Sequence, residues 1–143
     1  MLFYWSQNLA ASQIHLQINI DNTQVEQVPH FKFLGITFDT HMNWNQHCKE
    51  LGNKLAQTSG ILCKLKNILP QDILVTIYNS LFVSHLSYGI TVWGFNNSKR
   101  FEVLQKRAIR NITRSKYNSH TSPLFKQLKL LKKADIFNLS CLK

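Results

Sequence analysis

Residues 44–69, WNQHCKELGNKLAQTSGILCKLKNIL, set Trp44, Cys48, Leu51, Leu55, Thr58, Leu62, Leu65 and Leu69 at alternating steps of four and three. Steps of that kind bring side chains to one face of an α-helix, which turns once every 3.6 residues. The stripe, interrupted only by Thr58, predicts a long helix packed along one side. A coiled-coil seam has the same spacing, but this segment is short for one and lacks regular flanking charges, so packing in the chain's own core is preferred. Asn43, with Gln46 three residues on, reads as a capping box that starts the helix.

Helical spacing continues downstream. Pro70 suits the first turn of a second helix, in which Ile73, Leu74, Ile77, Tyr78, Leu81 and Phe82 keep the period. Gly89 and Gly94, around Val92-Trp93, end it. A third helix is predicted from Lys99 to about Arg114. At 100° per residue its Phe101, Leu104, Ala108 and Ile112 fall within an arc of about 80°, with Lys99, Arg100, Lys106, Arg107, Arg110 and Arg114 on the far side. After a polar connection, Ser115 to Ser122, the tail from Thr121 to Leu142 gives two short amphipathic pieces that stay basic at Lys126, Lys129, Lys132 and Lys133.

Upstream the period is two. Residues Ile14 to Ile20 alternate apolar with polar, and Asp21-Asn22 supplies turn chemistry before Val25 and Val28, which predicts a hairpin with one buried face. The run Phe31 to Phe38 is aromatic and β-branched, a strand whose Gly35 suggests a bulge or a close backbone approach. The fold class is therefore α+β, a small antiparallel β element over residues 1–40 followed by a mainly α-helical bundle over 41–143.

Among 143 residues, 44% hydrophobic and 11% aromatic content suffices for one domain with a real core. Cys48, Cys63 and Cys141 are odd in number and widely separated, which suggests neither a disulfide framework nor a zinc site. The opening MLFYWSQ lacks a basic start, and no apolar run approaches the roughly 18–20 residues of a membrane span. The expectation is an intracellular protein, cytoplasmic or nuclear. Oligomeric state is not legible.

The net charge of +10 is uneven: residues 1–98 hold five basic and five acidic groups, whereas the last 45 hold twelve basic groups against Glu102 and Asp135. Such asymmetry points to a polyanionic partner. Cations along one helix face can meet successive phosphates, and Arg can hold a phosphate through two parallel hydrogen bonds. A solvated basic face and a membrane-surface helix are the competing readings, the second disfavoured by the modest apolar face.

Phosphodiester chemistry at two metals needs clustered carboxylates. The seven acids here are scattered singly, with no adjacent pair and none at helical i, i+3 or i+4 spacing, and the five glycines form no phosphate-cradling motif. His41 and His47 flank Trp44 and with Asp39 are candidates for a metal, capping or partial burial being the commoner explanation. Cys48 beside His47 is a weak nucleophile pair, since neighbours on a helix diverge. No catalytic residue is assigned.

The string FKFLGITFDTHMNWNQH, with Phe31, Leu34-Gly35-Ile36, Asp39, Trp44 and His47, resembles a segment just after the catalytic strands of LINE-type, jockey-like non-LTR retrotransposon reverse transcriptases. The resemblance continues in register through Gly60-Ile61-Leu62, Lys64-Leu65, Leu69-Pro70, Tyr78-Asn79-Ser80-Leu81, Leu86-Ser87-Tyr88-Gly89, Val92-Trp93-Gly94, residues 104–110 and Ser122-Pro123-Leu124. Met1-Leu2-Phe3 resembles the end of the preceding motif. The resemblance implies the end of a palm over 1–40 and a thumb over 41–143, gripping a template–primer duplex of RNA and DNA. It puts Phe33, Leu34 and Gly35 near the primer end and Gln105, Lys106, Arg107 and Arg110 on a thumb helix at the nucleic acid; the cationic face read from helical spacing adds Lys99, Arg100 and Arg114 to these nucleic-acid-binding candidates. The aspartates that bind Mg²⁺ in that family lie upstream of the matching region, so no cofactor and no independent polymerase activity are expected of this chain, which resembles an amino-terminally truncated copy or a product begun at an internal methionine. The alternatives are a non-enzymatic helical RNA- or DNA-binding module and a decayed relic.

Overall fold

The long helix predicted from residues 44–69 is the spine of the molecule. A computed structural model describes residues 18–21, 23–26, 28–96 and 99–142, and in it α1 runs Asn45–Leu65, about 30 Å. Trp44, Cys48, Leu51, Leu55, Thr58 and Leu62 are buried and Leu65 and Leu69 partly so, which makes the stripe a core face. Four strands precede it: β1 Ile18–Ile20, β2 Thr23–Val25, β3 His30–Phe33 and β4 Ile36–Asp39. After it come α2 Gln71–Ile77, α3 Ser84–Ser87, α4 Ile90–Trp93, α5 Lys99–Ile112, α6 Thr121–Gln127 and α7 Lys133–Cys141. The chain is thus mainly helical α+β.

Between α2 and α3 the helix widens to π geometry over Tyr78–Val83. The hydroxyl of Ser80 donates to the carbonyl of Thr76, and that of Ser84 to Ser80, within this segment. Such back-bonding to the preceding turn loosens the regular ladder and favours a local bend. The wider turn leaves Leu74, Tyr78 and Phe82 fully buried while Ile73 and Leu81 stay exposed, so the apolar stripe read from the sequence is broader than the face that packs. Gly89, at φ +59, then breaks the chain direction before α4; a Cβ there would lie 2.5 Å from the side chain of Ile36. α5 makes its main contact along α1, burying Phe101, Leu104, Ala108, Ile109 and Ile112.

Two β expectations are corrected. The first hairpin pairs Ile18 with Val25 and Ile20 with Thr23, and the described residues of its two strands are exposed on both faces instead of presenting a buried one. Residues 14–17 of the predicted strand, and Met1-Leu2-Phe3, lie outside the described residues. The run 31–38 is two strands: β3 and β4 pair antiparallel, Phe33 opposite Ile36, around a two-residue turn. Leu34 and Gly35 both take positive φ, 47° and 80°, the pattern of a type I′ turn, which matches the twist of the flanking strands. Gly35 is therefore a turn residue and not a bulge, and the Tyr88 hydroxyl, donating to the Leu34 carbonyl at 2.6 Å, helps hold Leu34 in a conformation that costs a branched side chain.

The start of α1 also differs from the expected capping box. Trp44 occupies the cap position at φ 62° with no side-chain cap, and Gln46 donates instead to Glu50. Asn43 still takes part, its Oδ1 accepting the N–H of Asn45, the first residue of α1, at 2.9 Å, while the turn into the helix is held from β4: the Asp39 carboxylate, buried, accepts the backbone N–H groups of His41 and Asn43 at 3.1 Å and of Trp44 at 2.8 Å. One carboxylate thereby ties the end of the hairpin to the beginning of the spine, and Trp44 packs edge-on to Phe38 at 5.3 Å. Because three charge-assisted hydrogen bonds end on one group, Asp39→Ala should destabilise the fold by about 2–3 kcal/mol and Asp39→Asn by less. Urea unfolding followed by tryptophan fluorescence measures this, and an unchanged midpoint for Asp39→Ala would contradict it.

Candidate nucleic-acid interface

α5 divides as its sequence predicts, one face buried and the other charged. On the exposed side Lys99 and Arg107 have no hydrogen-bond or ion-pair partner among the described residues, and Lys106 makes only a 3.7 Å contact with Glu102 one turn earlier. A pair of that kind at an exposed position is weak and leaves the ammonium open to another anion. Val103, exposed, lies between these cations on the same face.

The remaining predicted site residues are engaged in the fold to different degrees. Arg100 crosses Gly52 of α1, where a Cβ would come within 3.0 Å of its guanidinium, and donates to Asn53 Oδ1 at 2.8 Å. Arg110, half-buried, donates through Nε to the Ser119 carbonyl at 3.1 Å. Arg114 lies beyond α5 at φ 53° and donates to the carbonyls of Lys66 and Leu69 at 2.7 and 3.1 Å, satisfying backbone groups at the end of α1.

Gln105 is a correction. It is 2% exposed; its amide nitrogen donates to Tyr78 Oη and the Leu131 carbonyl, both at 2.9 Å, and its carbonyl accepts the Lys133 N–H at 3.0 Å. Its polar atoms lock α5 to the π segment and to the start of α7, and none is presented to a ligand. Burial pushes the Tyr78 hydroxyl up to about 12, against the opposing hydrogen bond from Gln105, so it stays a neutral partner. Lys133, read as part of a basic tail, is buried too, donating to the carbonyls of Gly94 and Asn96 at 3.1 and 3.0 Å. Sequence reasoning missed both because a polar side chain at helical spacing reads as surface.

Phe33, Leu34 and Gly35 come together at the exposed tip of the β3–β4 hairpin. Beside them a concave surface is lined by Lys32, Lys54, His85 and Tyr88, with His47 and Glu50 at its floor. Its geometry follows from how β4 docks on α1: Thr37 donates its backbone N–H to His47 Nδ1 at 3.4 Å and its hydroxyl to Glu50 at 3.0 Å. Burial holds the His47 imidazole below its ordinary pKa, outweighing the nearby Glu50, which suits a neutral ring that accepts at Nδ1. Partial burial pushes Glu50 up, but hydrogen bonds from Gln46 and Thr37, with Lys32 and His47 nearby, hold its carboxyl below the usual range. The surface thus carries two lysines beside exposed aromatic and aliphatic groups.

The metal suggestion fails on geometry: Asp39 is taken up with backbone N–H groups, His47 with Thr37, and no group of three His, Cys, Asp or Glu side chains converges among the described residues. Cys48 is no activated thiol either, since burial pushes it up to about 11, against the opposing charge of Lys133. No helix among the described residues is long and apolar enough to cross a membrane.

Comparison with known proteins bears on this arrangement. The chain is similar to the RNA-directed DNA polymerase from mobile element jockey of Drosophila melanogaster, 27% identical over 112 residues, covering 73% of this chain and 12% of that protein. A probable RNA-directed DNA polymerase from transposon BS of the same organism is 27% identical over 128 residues, 83% of this chain and 14% of that protein. The Pol polyprotein from type-1 retrotransposable element R1 4 of Nasonia vitripennis is 28% identical over 106 residues, 70% of this chain and 27% of that one. The chain therefore spans only a small part of the first relatives it matches. No family model and no solved structure matches it.

Cations that serve the fold and cations open to solvent should separate in stability measurements. Arg114→Gln removes two capping hydrogen bonds and should cost about 1–2 kcal/mol, whereas the combined variant Lys99→Gln, Lys106→Gln, Arg107→Gln should stay within about 0.5 kcal/mol of wild type. Thermal unfolding by circular dichroism checks both, and a larger loss for the triple variant than for Arg114→Gln would refute the division.

Proposed function

From the chain's homology, over most of its length, to the reverse transcriptases of non-LTR retrotransposons, we propose that it grips a template–primer duplex of RNA and DNA in the manner of a thumb. The observation that carries the reading is the division of α5: while its apolar face is bound to α1, Lys99, Lys106 and Arg107 are left at the surface with no structural duty of consequence. Arg100 and Arg110, anchored by one hydrogen bond each, border the same face and keep donors for phosphate oxygens. Contacts of this kind fix the position of a duplex without reading its sequence.

The β3–β4 hairpin is assigned the end of the primer. Phe33 and Leu34 offer apolar surface to a terminal base or sugar, and Lys32 and Lys54 in the adjoining hollow supply cations for its phosphates. The chemistry of chain extension is assigned to carboxylates outside these 143 residues, because the seven acids here are scattered and Asp39 and Glu50 are engaged in the fold. This chain's part is then positioning, which holds reacting groups in line for a step performed elsewhere.

Salt dependence tests the reading directly. Each neutralised duplex phosphate contributes about −0.9 to the slope of log K against log salt, so three engaged cations predict a slope near −3 for a duplex or an RNA–DNA hybrid of any sequence. The variant Lys99→Gln, Lys106→Gln, Arg107→Gln should lose most of that slope while melting like wild type. Equal slopes for the two proteins would mean that α5 presents only a solvated face.

A further inference from the structure

The turn that follows α5 displays an aromatic ring that the fold does not use. Tyr117 is 85% exposed, the most exposed aromatic among the described residues. It sits on a turn closed by the Ser119 N–H donating to the Lys116 carbonyl at 3.0 Å. That turn is fastened to α5 twice, the Ser115 N–H donating to the Arg110 carbonyl at 3.0 Å and Arg110 Nε to the Ser119 carbonyl at 3.1 Å, and the segment leading into it is braced by the Thr113 and Ser115 hydroxyls, 2.8 Å apart. The Arg110 guanidinium, so fixed, stands 5.8 Å from the centre of the Tyr117 ring. The ring thus has a cation on one side and open solvent elsewhere. Its neighbours Lys116, Asn118 and His120 are exposed and polar, where a protein-docking anchor is ordinarily set in an apolar surround.

We propose that Tyr117 is a stacking platform for an unpaired nucleobase, placed where a single strand leaves the duplex held by α5. The inference rests on that reading of α5, since Arg110 belongs both to the cationic face and to the Tyr117 turn. An aromatic ring stacks on any base, and the cations beside it, Lys116 and Arg110, meet the flanking phosphates, so the ligand is a single-stranded extension of unrestricted sequence. The two regions together bind a junction between paired and unpaired nucleic acid.

The test compares a blunt RNA–DNA hybrid with one carrying a five-nucleotide single-stranded extension, by fluorescence anisotropy with the full chain. Wild type should bind the extended hybrid roughly tenfold tighter or more, the worth of one stacked base. Tyr117→Ala should abolish that advantage and leave blunt-hybrid affinity unchanged; Tyr117→Phe should keep it and Tyr117→Leu lose it. The triple Gln variant of Lys99, Lys106 and Arg107 should weaken both ligands alike and preserve their ratio. The proposal is overturned if wild type shows no preference for the extension, if Leu substitutes as well as Phe, or if Tyr117→Ala weakens both ligands equally. If the triple variant binds both ligands like wild type while the Tyr117 effect persists, it is the α5 grip that fails and not the platform.

Discussion

The packing of α5 against α1 is the constraint from which the rest of the structure follows. Phe101, Leu104, Ala108, Ile109 and Ile112 lie at helical spacing, and burying them on α1 leaves α5 one rotation about its axis. Gly52 and Ser59 on α1 are small and buried where α5 approaches, with Arg100 laid over the first and Asn111 donating to the carbonyl of the second at 3.3 Å. Once the rotation is set, the place of every cation on α5 is set with it. The charged face is in this sense a consequence of the core.

That rotation also distributes duties among the basic residues. Charge in the last third of the chain is not one uniform cloud: Lys133 is buried on carbonyl oxygens, Arg114 closes the end of α1, and Arg110 braces the turn that follows α5. Lys99, Lys106 and Arg107 stay open to solvent. Arg suits the bracing roles because its planar, multi-donor head satisfies several carbonyls from a fixed geometry. A net charge of +10 therefore overstates what a polyanion would meet, and position decides more than the total.

Periodicity was the legible part of this sequence. The long stripe from Trp44 and the two-faced pattern of α5 were readable because burial of a helix face leaves a 3.6-residue signature. What escaped is what depends on partners distant in sequence or on backbone conformation. The type I′ turn at Leu34-Gly35 hides inside an apolar run, since leucine gives no sign of positive φ and its carbonyl is held by Tyr88, 54 residues away. The turn into α1 is held by Asp39, five residues before the Trp44 it binds, and because Trp44 adopts a left-handed conformation the expected box does not close, although Asn43 still accepts the N–H of Asn45. Gln105 looks like a surface residue until Tyr78 and the α7 start are brought to it by the fold. On the cationic face of α5, the sequence showed which residues are basic, and only the structure showed which of them are already engaged.

Lysine footprinting of the chain, free and saturated with an RNA–DNA hybrid, tests the central claim most directly, because it reads the position of the nucleic acid without altering a residue. Lys99 and Lys106 should lose most of their reactivity toward an acylating reagent on binding. Lys49, exposed on α1, should keep its reactivity, and Lys133 should be unreactive in both states because it is buried. Unchanged reactivity at Lys99 and Lys106 under saturating hybrid, or protection confined to other lysines, would contradict the assignment of the grip to α5.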